Sequence, residues 1–346
     1  MKTLKRFLPE FKNRKIITLG DICLDIYTLG TMYKISAEGP IPVIEFDEKE
    51  LKSYQPGEIG VIYAPGAGGN AACNVAALGA TVYPTGIIGN DRYGNIIKKE
   101  FKKVGANVSG LISSKKRRTH AYNKITCINN HTQPQQVFRI DTKRVREKLD
   151  KNLESRIKRI LEENVKVCDA IMVADYSKGA VTKDLLEYVV MLGVKYNKLT
   201  VGDSRENISE YKGFKLLSIN DWEAVSAVRK MGKEETITRE EIEEAGNKLI
   251  DSLGANYVIV TRGKDGMSIF EKGKKSVDIP TFAKQVFDVT GAGDTVKATL
   301  TLALTSGASI VEAAKLANCA AGIVISKFGT ATATAKEVEE ELDKFI

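Results

Sequence analysis

With 346 residues, 43% of them hydrophobic and 28% charged, the chain has room for one large α/β domain with an appendage, and its composition excludes a disordered protein. No segment approaches the roughly 18 uninterrupted apolar residues of a bilayer crossing, and Met1 to Arg14 is basic without an apolar signal core, so a cytoplasmic location without a membrane partner is expected. The net charge of +8 is densest at Lys115, Lys116, Arg117 and Arg118, but elsewhere lysines alternate with glutamates, along Arg144 to Glu163 and Lys233 to Lys248, as on solvated helix faces; small anionic substrates rather than nucleic acid are the expected partners.

Ile16 to Leu19 is the first short apolar run of β type. Pro40 to Tyr63 follows with a partly alternating pattern and no helix of its own, and Thr119 to Asp141 repeats that pattern further on. Neither can be a crossover unit, so together they predict a small β lid inserted into the main body, with a pair of surface hairpins as the other reading. Between them, Pro65-Gly-Ala-Gly-Gly-Asn-Ala-Ala-Cys-Asn-Val-Ala-Ala-Leu-Gly79 predicts a glycine turn opening a helix of small residues, able to approach a sheet closely. Asn70 and Asn74 stand at i and i+4, so one helix face carries two amides fit to read sugar hydroxyls. Gly66 to Ala71 also fits the dinucleotide pattern G-x-G-x-x-A, with Asp91 further on, which makes an NAD-dependent dehydrogenase the rival enzyme class. Against it stand Pro65 and the fact that the first strand is followed by Gly20-Asp21 instead.

Val82 to Ile88, Ala170 to Ala174, Leu199 to Val201, Leu216 to Ile219 and Tyr257 to Val260 continue the series of buried strands. Helices run between them, such as Arg92 to Val104, closed by Gly105, and Lys183 to Leu192, closed by Gly193. Near-continuous apolar strands joined by helices call for a mostly parallel sheet with helices on both faces, and ligands in such sheets bind beyond the carboxyl ends of the strands. Cys23, Cys73, Cys127, Cys168 and Cys319 are scattered singly, without metal spacing or a disulfide framework. The two histidines, His120 and His131, are too few for a histidine metal cluster, and no Walker A sequence occurs.

Chemistry concentrates at Asp288-Val-Thr-Gly-Ala-Gly-Asp294, after the strand-like Gln285 to Phe287 and before the apolar helix Thr295 to Leu304. Glycines there leave main-chain N–H groups bare at the positive end of a helix, which makes an anion site. Asp294 falls in the first turn, where the helix dipole favours a negative charge able to accept a proton. The plainer reading of the same residues is a glycine turn with a capping aspartate.

Pro65 to Gly79 and Asp288 to Asp294 resemble, in order and separation, the two signature segments of the PfkB carbohydrate kinase family. The likeness takes in Gly20-Asp21 with Asp25 on the first strand, and Asn220-Asp-Trp-Glu223, which matches the family's N-x-x-E motif. Within the family, the D-glycero-D-manno-heptose 7-phosphate kinases are the closer match, through Lys34 to Val43, Phe138 to Asp141, Ala174 to Ala180 and Lys327 to Thr330. That branch has Asp-Pro-Lys where this chain has Asp203-Ser204-Arg205, Gly68 and Gly69 are extra glycines, and the nucleotidyltransferase domain of some relatives is not in this sequence.

The resemblance implies an α/β, ribokinase-like fold: one kinase domain over 1–346, with a small β-sheet lid at 40–63 and 119–141. It implies transfer of the γ-phosphoryl group of ATP to a sugar, first the anomeric hydroxyl of D-glycero-D-manno-heptose 7-phosphate, with ribose, fructose, a fructose phosphate or a nucleoside as other acceptors. Asp294 becomes the base, and the amides of Gly291, Ala292 and Gly293 the cradle for the moving phosphoryl group. Asn220 and Glu223 are expected at the triphosphate and Mg²⁺, through water for Glu223; Thr261, Gly263, Gly266 and Asn318 at the adenosine; Asp25, Gly66, Asn70 and Asn74 at the sugar. Lys178 and Arg139 are candidates for the sugar's phosphate, with Lys124, Arg117 and Arg118 in reserve. Asp288 and Thr290, with the loop near Gly329, resemble a K⁺ site, and pairing of lids would make a homodimer. A non-catalytic sugar-binding regulator is the reading from another class, disfavoured by the intact Asp294 and glycine turn.

Overall fold

The computed structural model describes residues 2–45, 60–129, 132–142, 149–232, 235–283 and 286–344. A 3₁₀ helix (Lys2–Asn13) leads into β1 (Lys15–Gly20), the long β2 (Ile22–Ile35), β3 (Pro42–Glu45), β4 (Val61–Ala67) and α1 (Gly68–Ala77). Then come β5 (Thr81–Gly89), α2 (Arg92–Lys103), β6 (Leu111–Ser114), β7 (His120–Asn129), β8 (Thr132–Asp141) and α3 (Lys151–Val165). β9 (Ala170–Asp175), α4 (Lys183–Lys195), β10 (Leu199–Ser204), β11 (Leu216–Asn220), α5 (Asp221–Val228) and α6 (Arg239–Leu253) continue the alternation. β12 (Tyr257–Thr261), β13 (Met267–Glu271), β14 (Val277–Ile279), α7 (Ala292–Thr305), α8 (Ile310–Val324) and α9 (Ala335–Asp343) complete it.

Nine strands form the central sheet, in the order β14-β13-β12-β11-β10-β9-β1-β5-β6. Pairings from β12 to β6 are parallel, and β13 and β14 add on antiparallel. Strand side chains alternate between two cores, which is why the strands read as nearly unbroken apolar runs. Ile16, Met172, Val201, Leu216 and Ile259 pack on one face with α1, α2, α7, α8 and α9, whereas Ile17, Ile171, Leu217 and Val258 pack on the other with α3 to α6. Each such side chain, fully buried, contributes about 1.5–3 kcal/mol.

The expected helix ending at Gly193 runs on to Lys195, with Gly193 buried inside it. A Cβ there would lie 2.5 Å from Thr200 Cγ2, so this glycine lets α4 approach β10; the left-handed residue after the helix is Asn197, at φ 50°. Within the described residues, the charged patterns expected from Arg144 and Lys233 are helical over Lys151–Val165 and Arg239–Leu253, behind the capping side chains of Asp150 and Thr238. Arg144, Lys233 and Gln285 lie outside the described residues; Phe287 belongs to no strand, and α7 starts at Ala292, ahead of the expected Thr295.

A second, five-stranded sheet has the order β3-β2-β7-β8, with β4 also paired to β2. The described parts of 40–63 and 119–141 do contribute strands to it, while 46–59 and 130–131, including His131, lie outside the described residues. Its spine, however, is β2, so Asp25 stands on the lid and not on the first strand. Cys23, Asp25 and Tyr27 of β2, Tyr122, Lys124 and Thr126 of β7, and Gln136 and Arg139 of β8 face one cavity. The register shift opposite Ile125/Thr126 lets Gln136 and Arg139 share that face, and Phe138 and Ile140 point away, 61% and 53% exposed.

Candidate active site

The cavity, about 730 Å³, lies between the lid and the carboxyl ends of β9 to β12, where a parallel sheet leaves its strand termini open. Asp203 ends β10, Ser218 to Asn220 end β11, and Thr261 ends β12; Tyr176 and Lys178 follow β9, and all of them line it.

Gly291, at φ +82°, caps α7, and a Cβ on it would fall 2.5 Å from Asn70 Nδ2. Only glycine allows the turn and the approach together. Asp294, one turn in, is 4% exposed yet lines the cavity. Tyr176 Oη donates to its Oδ1 (2.8 Å) and Asn70 Nδ2 to its Oδ2 (2.9 Å). Burial, and then the Asp294 carboxylate, push the Tyr176 phenol well above its usual value, so Tyr176 remains a donor. Two fixed donors orient the carboxylate and leave it lone pairs for a further hydroxyl. Gly291 and Gly293 line the cavity; Ala292 does not.

Asn74 does not face the sugar side as expected. It is fully buried: its Nδ2 donates to Asn70 O (3.0 Å) and its Oδ1 accepts from Thr295 Oγ1 (2.8 Å), which ties α1 to α7 and sets Asn70. Gly66 also lies behind the wall, where a Cβ would meet Asp25 Oδ2 at 2.8 Å. Asp25 lines the cavity with Lys124 Nζ at 3.4 Å; burial pushes its carboxyl up and Lys124 opposes. Lys124 Nζ also donates to Tyr27 Oη (3.0 Å), which accepts from Thr330 N (2.9 Å), and Tyr27 packs edge-on against Phe328. Lys327 to Thr330 thereby fastens the lid to the main body. The same loop meets Asp288: its Oδ1 accepts from Thr290 N (2.9 Å) and its Oδ2 from Gly329 N (3.2 Å), which joins the positions read as a cation loop.

Both expected cations, Arg139 and Lys178, line the cavity, stacked on the Tyr122 ring at 4.4 and 5.5 Å. Arg205 joins them, 4.7 Å over the Tyr176 ring. Arg117 is engaged elsewhere, donating to the carbonyls of Lys178 (2.8 Å) and Gly179 (3.3 Å), and Arg118 is exposed outside the lining.

Thr261, Asn220 and Glu223 line the opposite end. Asn220 Oδ1 accepts from Glu223 N (2.7 Å) and Glu223 Oε2 from Asn220 N (2.9 Å), the capping box of α5; one Glu223 oxygen remains for a ligand, its carboxyl pushed up by burial. Gly263, Gly266 and Asn318 lie outside the lining: the glycines shape the turn after β12, and Asn318 holds Pro280 O (2.8 Å) and Phe282 N (3.2 Å). Among the described residues no group of three His, Cys, Asp or Glu is placed to cage a metal. The dinucleotide-like Gly66 to Ala71 joins lid strand β4 to α1 and not a central strand to its helix, which removes the geometry that pattern needs.

Sequence reading missed Tyr176, Arg205, Asp203 and Lys297. Lys297 is wholly buried, with Nζ on Asp203 Oδ2 and 3.4 Å from Asp294 Oδ1. A lysine one turn beyond Asp294, inside an apolar helix, was the available signal.

The model of the pfkB family carbohydrate kinases matches residues 38–337. The bifunctional protein HldE of Sulfurimonas denitrificans is 34% identical over 341 residues, 98% of this chain, and the chain spans 65% of that relative's length. Arabidopsis thaliana ribokinase complexed with ribose and ATP matches with a TM-score of 0.67 at 21% identity, covering 95% of this chain and 98% of that one. Escherichia coli phosphofructokinase-2 in complex with potassium matches with a TM-score of 0.70 at 18% identity, covering 96% and 98%. The two structures show that the fold is ribokinase-like.

Proposed function

Because the chain belongs to the pfkB family of carbohydrate kinases, we propose that it transfers the γ-phosphoryl group of ATP to the anomeric hydroxyl of D-glycero-D-manno-heptose 7-phosphate. One observation carries this reading: a single cavity holds a carboxylate at a helix N-terminus together with four basic side chains, of which Lys124 is paired with Asp25 while Arg139, Lys178 and Arg205 suit an acceptor that is itself a phosphate ester. The resemblance of Lys34 to Val43, Phe138 to Asp141, Ala174 to Ala180 and Lys327 to Thr330 to the heptose 7-phosphate kinases supports the heptose over the other acceptors.

In the reaction, Asp294 takes the proton of the acceptor hydroxyl as its oxygen bonds to the γ-phosphorus, and the bond to the β-phosphate oxygen breaks to release ADP. The N–H groups of Gly291 and Gly293, at the positive end of the α7 dipole, would meet the transferring oxygens, whereas that of Ala292 is committed to Val289 O (3.3 Å). Asp25 and Asn70 would hold the sugar, and Thr261 the nucleoside end. Asn220 and Glu223 fit Mg²⁺ bound through water, since hard oxygens without a protein cage suit that ion, which supplies charge neutralisation on the phosphates. Asp288, Thr290 and the Gly329 loop would hold K⁺, the ion of the phosphofructokinase-2 complex. ATP as donor and five buried free thiols suit the cytoplasm.

The test is a panel of heptose 7-phosphate, ribose, fructose and fructose 6-phosphate with ATP and Mg²⁺. Heptose 7-phosphate should give the highest kcat/KM, and Asp294→Asn should lose about 10²- to 10⁴-fold in turnover with the fold unchanged. Near-normal turnover by Asp294→Asn ends the assignment of the base, and a preference for an unphosphorylated sugar ends that of the acceptor.

A further inference from the structure

Lys297 is a charge in the wrong place for a surface residue. It sits on α7 one turn beyond Asp294, has no exposed side-chain area, and is absent from the cavity lining, so it cannot reach either substrate. An ammonium persists at such a point only against carboxylates. Two are present: Asp203 at the end of β10, in contact with Nζ, and Asp294, 3.4 Å away. Asp203 itself lines the cavity, and its Oδ1 has no hydrogen-bond partner among the described residues.

We infer that Lys297 is a positioning residue for phosphoryl transfer, a built-in counter-ion held between Asp203 and Asp294 that balances the charge of the pair and fixes the orientation of the base. The inference rests on the reading of Asp294 as that base. Two neighbouring carboxylates without a cation between them share a proton, and such a shared proton occupies a lone pair that a general base needs free. The charges around the pair make Lys297 decisive: Asp25 faces it from the lid, Asp175 from β9 and Glu223 from α5, with Arg205 across the Tyr176 ring. Burial, only partly opposed by Lys297, raises Asp203 to about 6. Burial works against the Lys297 charge too, and the carboxylates Asp203 and Asp294 more than offset it, so the ammonium is retained.

Lys297→Met keeps the bulk of the stem and removes the charge. With ATP, Mg²⁺ and heptose 7-phosphate, its kcat should fall about 10-fold or more, and the acidic limb of its pH–rate profile should move up by about one unit or more, while KM for ATP stays within about twofold. Substrate titrations are common to variant and wild type and cancel in the comparison. Asp203→Asn, which leaves the ammonium to Asp294 alone, should move the limb down, and Lys297→Met/Asp203→Asn should bring it back toward wild type. A folded Lys297→Met with an unmoved acidic limb overturns the inference, because a purely structural lysine would lower the melting temperature and leave the limb in place. Should Lys297→Met fail to fold, an unmoved limb in Asp203→Asn overturns it equally. Turnover retained by Asp294→Asn would remove the base instead, a different failure.

Discussion

Arg139 from β8, Lys178 from the loop after β9 and Arg205 from the loop after β10 reach one cavity from three separate elements. If they grip the phosphate of the acceptor, truncating one removes a charged hydrogen bond, about 1.5–3 kcal/mol. Lys178→Ala and Arg139→Ala should each raise KM for heptose 7-phosphate by roughly 10- to 100-fold and leave KM for ATP nearly unchanged. Steady-state kinetics with the unphosphorylated heptose provide the control, since an equal rise there would mean that the two cations hold something other than phosphate. Asp294 was legible in the sequence because a glycine turn opening an apolar helix puts the next acidic residue in one place, the first turn. Arg205 and Lys297 were not, because what defines them is a partner far away in the chain: the Tyr176 ring for one and Asp203 for the other. Asn74 failed for the same reason, since i, i+4 spacing gives a shared helix face but not whether a neighbouring helix covers it.

Strands β1, β5 and β9 to β12 of the central sheet were readable as apolar runs; β6 and β14 at its margins were not, since four and three residues carry too little pattern, and the buried five-residue β13 was missed as well. Glycine was the ambiguous signal. Gly105 closes its helix at φ +75°, while Gly193, identical in the sequence pattern, is a gap against β10. Gly68 and Gly69 are gaps of this kind, where a Cβ would lie 2.9 Å from Asp21 O and from Pro65 Cβ respectively. In an open helix Gly193→Ala would gain about 1 kcal/mol of propensity; here the methyl meets Thr200 Cγ2, and overpacking of about 1–3 kcal/mol should win. Thr200→Ser removes that methyl and keeps the oxygen that accepts from Lys215 N. Denaturant midpoints should therefore fall in Gly193→Ala and recover in Gly193→Ala/Thr200→Ser; a stabilised Gly193→Ala would restore the plain helix-stop reading.

On the scale of the molecule, the lid reverses the usual arrangement of a sheet, with polar groups such as Asp25, Lys124 and Arg139 on its covered face and Tyr33, Ile35, Phe138 and Ile140 exposed. The covered face must be polar because it roofs a site for charged ligands, and an alternating pattern in sequence cannot say which of its two sets faces inward. Phe138 and Ile140, neighbours on one face of β8, are large apolar side chains left in the open, as on a contact surface. A second lid would fit such a face, because two copies related by a twofold axis would present the same strand edge and the same apolar side chains to each other. A stable pair must bury about 1,000 Å² or more. Sedimentation of the wild type should show a dimer at micromolar concentrations. Phe138→Glu/Ile140→Glu places four like charges at the joint and should sediment as a monomer with unchanged circular dichroism, because the substituted side chains contribute little to the folded protomer. Arg139, between them, points the other way into the cavity, so turnover should survive in the monomer with a raised KM for the sugar phosphate as the roof loosens. A wild type that sediments as a monomer, or a double variant that still pairs, would leave the apolar face with some other purpose.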